Sequence, residues 1–240
     1  MASGRFSGTV VLVAGGTGAL GAAVSRAFAR EGAAVVSTYR SPEEFEALRE
    51  SATADGLAIE GERVDVTDDA AVHQLVAAIR SRHSRLDAVV NAVGGYVGGT
   101  KLWELDPGGF ERMLALNLRS IYALCRATVP AMLEARQGCL VNVAARAGVE
   151  PPAGAAAYAA SKAAAVALLE SLAAELHGTG VRVNSILPST IDTPANRRAM
   201  PEAAAKGRWP TPEDIASVIL FLCSQEARVI HGASIPVYGN

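Results

Sequence analysis

Short, uninterrupted apolar runs alternate with segments of helical period along almost the whole chain, and this alternation restricts the fold more than any other feature. Thr9–Ala14 is continuously apolar, as expected of a strand buried on both faces. A helix follows with Leu20, Val24, Ala27 and Phe28 on one stripe, ended by Gly32. Strands are then expected at Ala33–Ser37, in a segment ending near Val64, and at Leu86–Val90, Gly138–Val143, Arg182–Leu187 and Ala233–Val237. Between them come helices over Pro42–Ala54, from Asp68 or Asp69 with the face Val72, Leu75, Val76 and Ile79, over Pro107–Val129 as one long helix or a pair, and over Ala155–Leu176. Thr211 caps a last helix, with Pro212 at its first position and Asp214 at its third. Right-handed crossovers convert this order into an α/β, doubly wound parallel sheet, a Rossmann fold. With no linker or repeat in view, residues 1–240 read as a single domain, and the irregular stretch 188–210 reads as a substrate lid.

Composition narrows the setting. Half of the 240 residues are hydrophobic and only 5% aromatic, so the core must be packed with Ala, Val, Leu and Ile. A net charge of −2 gives no reason to expect a nucleic-acid partner. Cys125, Cys139 and Cys223 are odd in number, far apart in sequence and without a CxxC pair, which suits reduced thiols better than a disulfide frame or a metal site. No apolar stretch reaches the ~18–20 residues that span a bilayer. A cytoplasmic protein without membrane contact is therefore expected, and no metal.

Where the first strand meets the first helix, the chain reads Gly15-Gly16-Thr17-Gly18-Ala19-Leu20-Gly21. Glycines there permit a tight turn and close approach to a pyrophosphate, held by the free N–H groups and partial positive charge of a helix N-terminus. Tight turns use glycine too, so it is the position on the first β-to-α turn that carries the reading. The end of the second strand, Ser37-Thr38-Tyr39-Arg40-Ser41, has no carboxylate to hold a free ribose 2′-hydroxyl. Arg40 is able to pair bidentately with a 2′-phosphate, which favours NADP(H) over NAD(H); a solvated surface arginine is the alternative. Asp65 and Val66 are placed to meet the adenine, although Asp65 also suits the capping of a turn.

Tyr158 and Lys162 are four apart on an expected helix and so share a face. An ammonium beside a phenol lowers the tyrosine pKa and makes it a usable general acid. Together with Gly15–Gly21, Asp65-Val66, Asn91-Ala-Val-Gly94, Asn117, Val141-Asn142-Val143, Val183-Asn184, Pro188…Thr193-Pro194 and the closing Gly232-Ala-Ser-Ile-Pro-Val-Tyr-Gly239, this pair makes the chain resemble the short-chain dehydrogenase/reductase family over essentially its whole length. The resemblance implies an NAD(P)-dependent oxidoreductase of a small molecule, working as a homodimer or homotetramer. It implies that Tyr158 gives the proton, that Lys162 tunes it and holds the nicotinamide ribose, and that Asn117 supports a proton relay. Asn91, Gly94, Pro188 and Thr193 would then line the cofactor.

One piece departs. Such proteins usually carry a serine thirteen residues before the tyrosine, and here that position is Ala145, preceded by Ala144. Loss of one donor to a developing oxyanion costs about 10²–10³ in rate. The substrate either does without the hydroxyl, receives it from another group such as Ser189, Thr190, Tyr96 or water, or is turned over poorly by a protein that mainly senses cofactor. The first reading fits a resemblance to the dihydropteridine reductases of the same family, carried by Gly15–Gly21, Gly94–Gly99, Ala145 and Leu187–Glu202 with Trp209. A quinonoid ring is already electron-poor and spreads its charge over ring nitrogens. That likeness is imperfect: those proteins have an acidic residue where Arg40 stands and tryptophan where Tyr96 stands. The leading expectation is thus an NADPH-dependent reductase of a conjugated, electron-poor molecule such as quinonoid dihydropteridine, with a 3-oxoacyl-type carbonyl reductase as the alternative. Tyr96, Arg146, Ser189 and Asn196 are the candidates for substrate contact. His73, His83, His177 and His231 are scattered and read as surface or packing residues.

Overall fold

The computed structural model describes residues 4–239, and Lys206 through its backbone alone. Seven strands form one fully parallel sheet: β1 (Val10–Ala14), β2 (Ala34–Tyr39), β3 (Glu60–Arg63), β4 (Ala88–Asn91), β5 (Gly138–Val143), β6 (Val181–Pro188) and β7 (Ser234–Val237). Their spatial order is β3-β2-β1-β4-β5-β6-β7. The order reverses between β1 and β4, so the crevice beyond their C-terminal ends is the place where this fold binds ligands. This is the single-domain Rossmann architecture the alternation implied.

The two-residue period of β1 divides the core. Val10, Leu12 and Ala14 join one apolar layer, while Val11 and Val13 join the other. On the first face pack α3 (Asp69–His83), α5 (Ser120–Ala135) and α6 (Ala156–Glu175), through Val72, Ile79, Ile121, Leu124 and Leu169. On the second pack α1 (Ala19–Arg30), α2 (Pro42–Ala54) and the last helix, α9 (Pro212–Cys223), through Val24, Phe28, Leu48, Ile215 and Ile219. Among the described residues no helix is long and apolar enough to cross a membrane.

Local chemistry sets several boundaries as read. Ser41 caps α2, its hydroxyl accepting from the Glu44 N–H, and Pro42 opens the helix. Gly32, just past α1, has φ +86°, a conformation that costs glycine little. At α9 the Thr211 hydroxyl accepts from the Asp214 N–H at 3.1 Å, and the Asp214 carboxylate accepts from the Thr211 N–H at 2.9 Å. This reciprocal cap starts a helix that carries Ile215, Ile219 and Leu222 into the core. Thr211→Ala is expected to cost ~1 kcal/mol and to lower Tm by a few degrees, measured by scanning calorimetry.

Three expectations need correction. The helix expected to end at Val129 runs on through Pro130 to Ala135. Pro130 lies on the exposed side, so the carbonyl of exposed Arg126 that loses its helical partner faces solvent. The preceding segment is also not plain α-helix: α4 (Pro107–Leu114) passes into a π-turn at Ala115–Arg119 before α5. The stretch 188–210, read as irregular, holds two short helices, α7 (Pro194–Ala199) and α8 (Pro201–Lys206), each opened by a proline. The three cysteines are free, and the Cys139 thiol donates to the Leu222 carbonyl at 3.3 Å, which brings it beside the residue preceding Cys223.

Candidate active site

The glycine loop leaves β1 at the switch point. Gly15 takes φ +75° and donates its N–H to the Thr38 hydroxyl at 2.9 Å, while the Gly16 N–H donates to the Thr38 carbonyl at 3.0 Å. Two glycines are required by space. A Cβ on Gly16 would lie 2.5 Å from the Ser37 Cβ, and one on Gly21 would lie 2.0 Å from the Gly15 carbonyl oxygen. At the N-cap of α1, Gly18 has no side chain to claim the first-turn N–H groups. Thr17, Gly18 and Ala19 are partly or fully exposed beside them, and Leu20 turns inward to the core. An open twelve-residue helix start facing a strand-end crevice fits a dinucleotide pyrophosphate.

Around this cradle the sequence candidates separate. Arg40 is exposed at the end of β2 and makes no ion pair among the described residues. Asp65 accepts from the Thr67 N–H at 2.9 Å and the Thr67 hydroxyl at 2.7 Å. Those bonds first, and the Arg40 charge after them, hold its carboxyl below the usual range. The turn-capping use of Asp65 is thus the one displayed, with Val66 buried behind it. Asn91 is buried at the end of β4 and donates to the Asn142 side-chain oxygen at 2.9 Å, which leaves the Asn142 Nδ2 buried and without a partner.

The chemical end is assembled by α6. Tyr158 and Lys162 lie one turn apart on it, and burial is the largest influence on each. The Lys162 ammonium donates to the Val143 carbonyl at 2.8 Å, and burial depresses its pKa to about 8. Burial first, with the neighbouring Tyr96 adding to it, pushes the Tyr158 phenol up to about 12. Desolvation therefore sets both groups, each away from its charged form. Gly94 gives them room: a Cβ there would lie 3.2 Å from the Lys162 Nζ and 3.0 Å from the Asn117 Oδ1.

Asn117 sits within the π-turn, buried, and its amide is fully committed. Its Oδ1 accepts from the Gly95 N–H at 2.9 Å, and its Nδ2 donates to the Gly95 carbonyl at 3.1 Å and the Ser161 hydroxyl at 2.9 Å. Ser161 in turn donates to the Tyr158 carbonyl at 2.7 Å. Asn117 thus ties the Gly94–Gly95 segment to α6 through its side chain. Ala144 and Ala145 are both buried at the end of β5 and present only methyl groups.

Of the substrate candidates, Tyr96 alone is seen against Tyr158, with ring centroids 5.0 Å apart and edge-on. Arg146 is exposed, pairs with Glu150 at 2.6 Å and lies over the Tyr238 ring at 4.7 Å. Ser189 donates its hydroxyl to the Tyr238 carbonyl at 2.7 Å. Asn196 donates its Nδ2 to the Ile191 carbonyl, and Thr193 caps α7 by accepting from the Asn196 N–H. Pro188 is buried at the end of β6. Sequence reasoning gave no role to Glu44, whose carboxylate accepts from the Thr17 hydroxyl at 3.0 Å, or to Ser161, and quoted Asn142 only as part of a motif. The tertiary contacts that recruit them span 27, 44 and 51 residues. His231 donates through Nε2 to the Ala173 carbonyl and accepts through Nδ1 from the Val183 N–H, so both ring nitrogens are spent on packing.

Comparison with known proteins decides the family. The model of a family described as enoyl-(acyl carrier protein) reductase matches residues 15–239. The chain belongs to the short-chain dehydrogenase/reductase family. It is 30% identical to a 3-oxoacyl-(acyl-carrier-protein) reductase of Thermotoga maritima, with 98% of each chain covered. It is 33% identical to the D-threitol dehydrogenase of Mycolicibacterium smegmatis, over 98% of this chain and 94% of the relative. Meso-2,3-butanediol dehydrogenase of Serratia marcescens is also 33% identical, with 98% and 95% covered. Among solved structures, a short-chain type dehydrogenase/reductase from Mycobacterium ulcerans superimposes with a TM-score of 0.92 at 27% identity, covering 98% of this chain and 90% of that one. NAD+-bound xylitol dehydrogenase gives 0.91 at 26% identity, with 98% and 99% covered. This short-chain dehydrogenase/reductase is accordingly an NAD(P)-dependent oxidoreductase acting on a small molecule.

Proposed function

We propose that this dehydrogenase/reductase is an NADPH-dependent reductase of a conjugated, electron-poor small molecule, with a quinonoid dihydropterin as the first compound to test. The observation that carries the reading is the pair of buried methyl groups, Ala144 and Ala145, where the family usually places a hydroxyl, beside an intact Tyr158 and Lys162. A substrate that builds charge on a delocalised ring has less need of a dedicated oxyanion donor.

In this reading the loop Gly15–Gly21 and the α1 N-terminus hold the pyrophosphate, and Arg40 pairs with the 2′-phosphate. Val66, Asn91, Gly94, Pro188 and Thr193 line the remaining length. Lys162 uses one of its three protons on Val143, leaving two for ribose hydroxyls. When bound, the reduced nicotinamide supplies a hydride. Tyr158 delivers the proton: burial keeps its phenol protonated through the neutral range, the form a reductase needs at the start of turnover. Asn117 holds the Gly94–Gly95 wall in place beside both groups. Residues 188–210 form a lid over the substrate, and the working assembly is a homodimer or homotetramer.

A second reading, a carbonyl reductase or alcohol dehydrogenase of the kind named for the relatives, is favoured by those names and by one free hydroxyl. Tyr96 makes no hydrogen bond through its phenol among the described residues, whereas Ser189 has already donated. The test is oxidation of NADPH by the purified protein against quinonoid dihydropterin and a 3-oxoacyl thioester in parallel. Turnover of the pterin supports the first reading; turnover of the thioester alone overturns it. In the same assay Arg40→Ala is expected to lower the NADPH-over-NADH ratio of kcat/KM by about tenfold or more, since a charge-assisted pair is worth ~1.5–3 kcal/mol. An unchanged ratio would remove Arg40 from the cofactor site.

A further inference from the structure

Tyr96 is 66% exposed, yet its ring meets another ring on one side. Its edge meets the Tyr158 ring at a 5.0 Å centroid separation and a 76° angle. Its hydroxyl lies directly over Gly98, where a Cβ would come within 2.1 Å of it. The backbone on either side is pinned: Asn117 grips both polar groups of Gly95, and the Gly99 N–H donates to the Gly154 carbonyl at 2.9 Å, just ahead of α6. An aromatic ring left largely in water gains little from burial there, so the anchoring has to be explained by what the ring touches. What it touches is Tyr158, which is most of the way buried and has no hydrogen bond of its own through its phenol among the described residues. Edge-to-face ring contacts are worth ~0.5–1.5 kcal/mol, enough to select one side-chain rotamer over another.

We infer that Tyr96 is a positioning residue that acts through Tyr158: its ring fixes the Tyr158 side chain in the rotamer that presents the hydroxyl to substrate and screens that hydroxyl from water. The inference rests on Tyr158 as the proton donor. It concerns the ring and not the Tyr96 hydroxyl, which separates it from the idea that Tyr96 replaces the missing serine. It also accounts for Gly98, because any larger residue would push the ring off its place.

The test compares Tyr96→Ala, Tyr96→Phe and Gly98→Ala, with Tyr158→Phe as reference. In the free protein, acetylation of Tyr158 by N-acetylimidazole, followed by peptide mass, is expected to run several-fold faster in Tyr96→Ala and Gly98→Ala than in wild type, and to return to the wild-type rate in Tyr96→Phe. With the pterin as substrate, kcat is expected to fall about 10- to 100-fold in the first two variants, with KM nearly unchanged, and to be restored in Tyr96→Phe. Equal acetylation in all variants overturns the inference. So does a rise in KM at constant kcat, which would make Tyr96 a substrate contact only, and so does a Tyr96→Phe variant as slow as Tyr96→Ala, which would make its hydroxyl the active part. If Tyr158→Phe keeps full turnover, the proton-donor reading fails instead, while the acetylation rates still report on the ring contact.

Discussion

Replacing Tyr158 by phenylalanine is expected to lower kcat by about 10²–10⁴ while leaving NADPH binding and thermal stability near wild type. The hydroxyl has no protein partner among the described residues, so removing it orphans nothing, and the phenyl ring keeps the edge-on contact with Tyr96. Steady-state kinetics, a cofactor titration by fluorescence and calorimetry on the same samples check the three parts. A variant that retains turnover would mean that the proton comes from elsewhere. A loss confined to KM would mean that the phenol binds substrate without protonating it.

The second large effect is expected in stability against pH, through Lys162. Burial depresses its folded pKa to about 8 from the 10.5 of a solvated lysine. Below pH 8 both folded and unfolded chains hold the proton, and the fold carries the cost of a buried ammonium. Between 8 and 10.5 the folded chain has released the proton while the unfolded chain keeps it, so the contribution of Lys162 to stability rises with pH. The whole rise is on the order of 3 kcal/mol for a group this buried. Lys162→Met abolishes it. Urea midpoints measured at pH 7 and about pH 9.5 should therefore show wild type gaining on the Met variant. At the upper limit Tyr158 of the unfolded chain, with its ordinary value near 10, has begun to titrate, but that titration is common to both proteins. Parallel curves for the two would mean that water already reaches the ammonium.

Much of the architecture was legible because two-sided burial leaves a plain mark. β1, β4 and β5 are apolar runs buried along their length, and α2 has the bounds that Ser41 and Pro42 announce. β3 was located only by its end: Glu-Gly-Glu-Arg has no apolar face to read, since it pairs with β2 alone at the edge of the sheet. Pro130 misled because a helix tolerates proline where the freed carbonyl meets water, and exposure is a tertiary fact. In the site, spacing placed Tyr158 and Lys162 on one face but said nothing of their surroundings. The dominant effect on both is desolvation, which depends on β5, Gly94 and Tyr96 arriving from elsewhere in the chain. Glu44 is hard to see for a related reason: an acidic residue in the first turn of a helix is ordinary, and only its bond to Thr17 brings it to the glycine loop.

The bonds made by Asn117 also set the two ends of the site apart by how much of the chain each one needs. The glycine loop and its ties to Thr38 lie within about forty residues of the N-terminus, reachable as soon as the first βαβ unit closes. The link from Gly95 through Asn117 to Ser161 and the Tyr158 carbonyl spans separations of 22 and 44 residues and needs the π-turn, α6 and the loop after β4 all in place. The turn after β1 thus needs only elements of the first βαβ unit, whereas the end that carries Tyr158 and Lys162 is held together by residues from three separate parts of the chain.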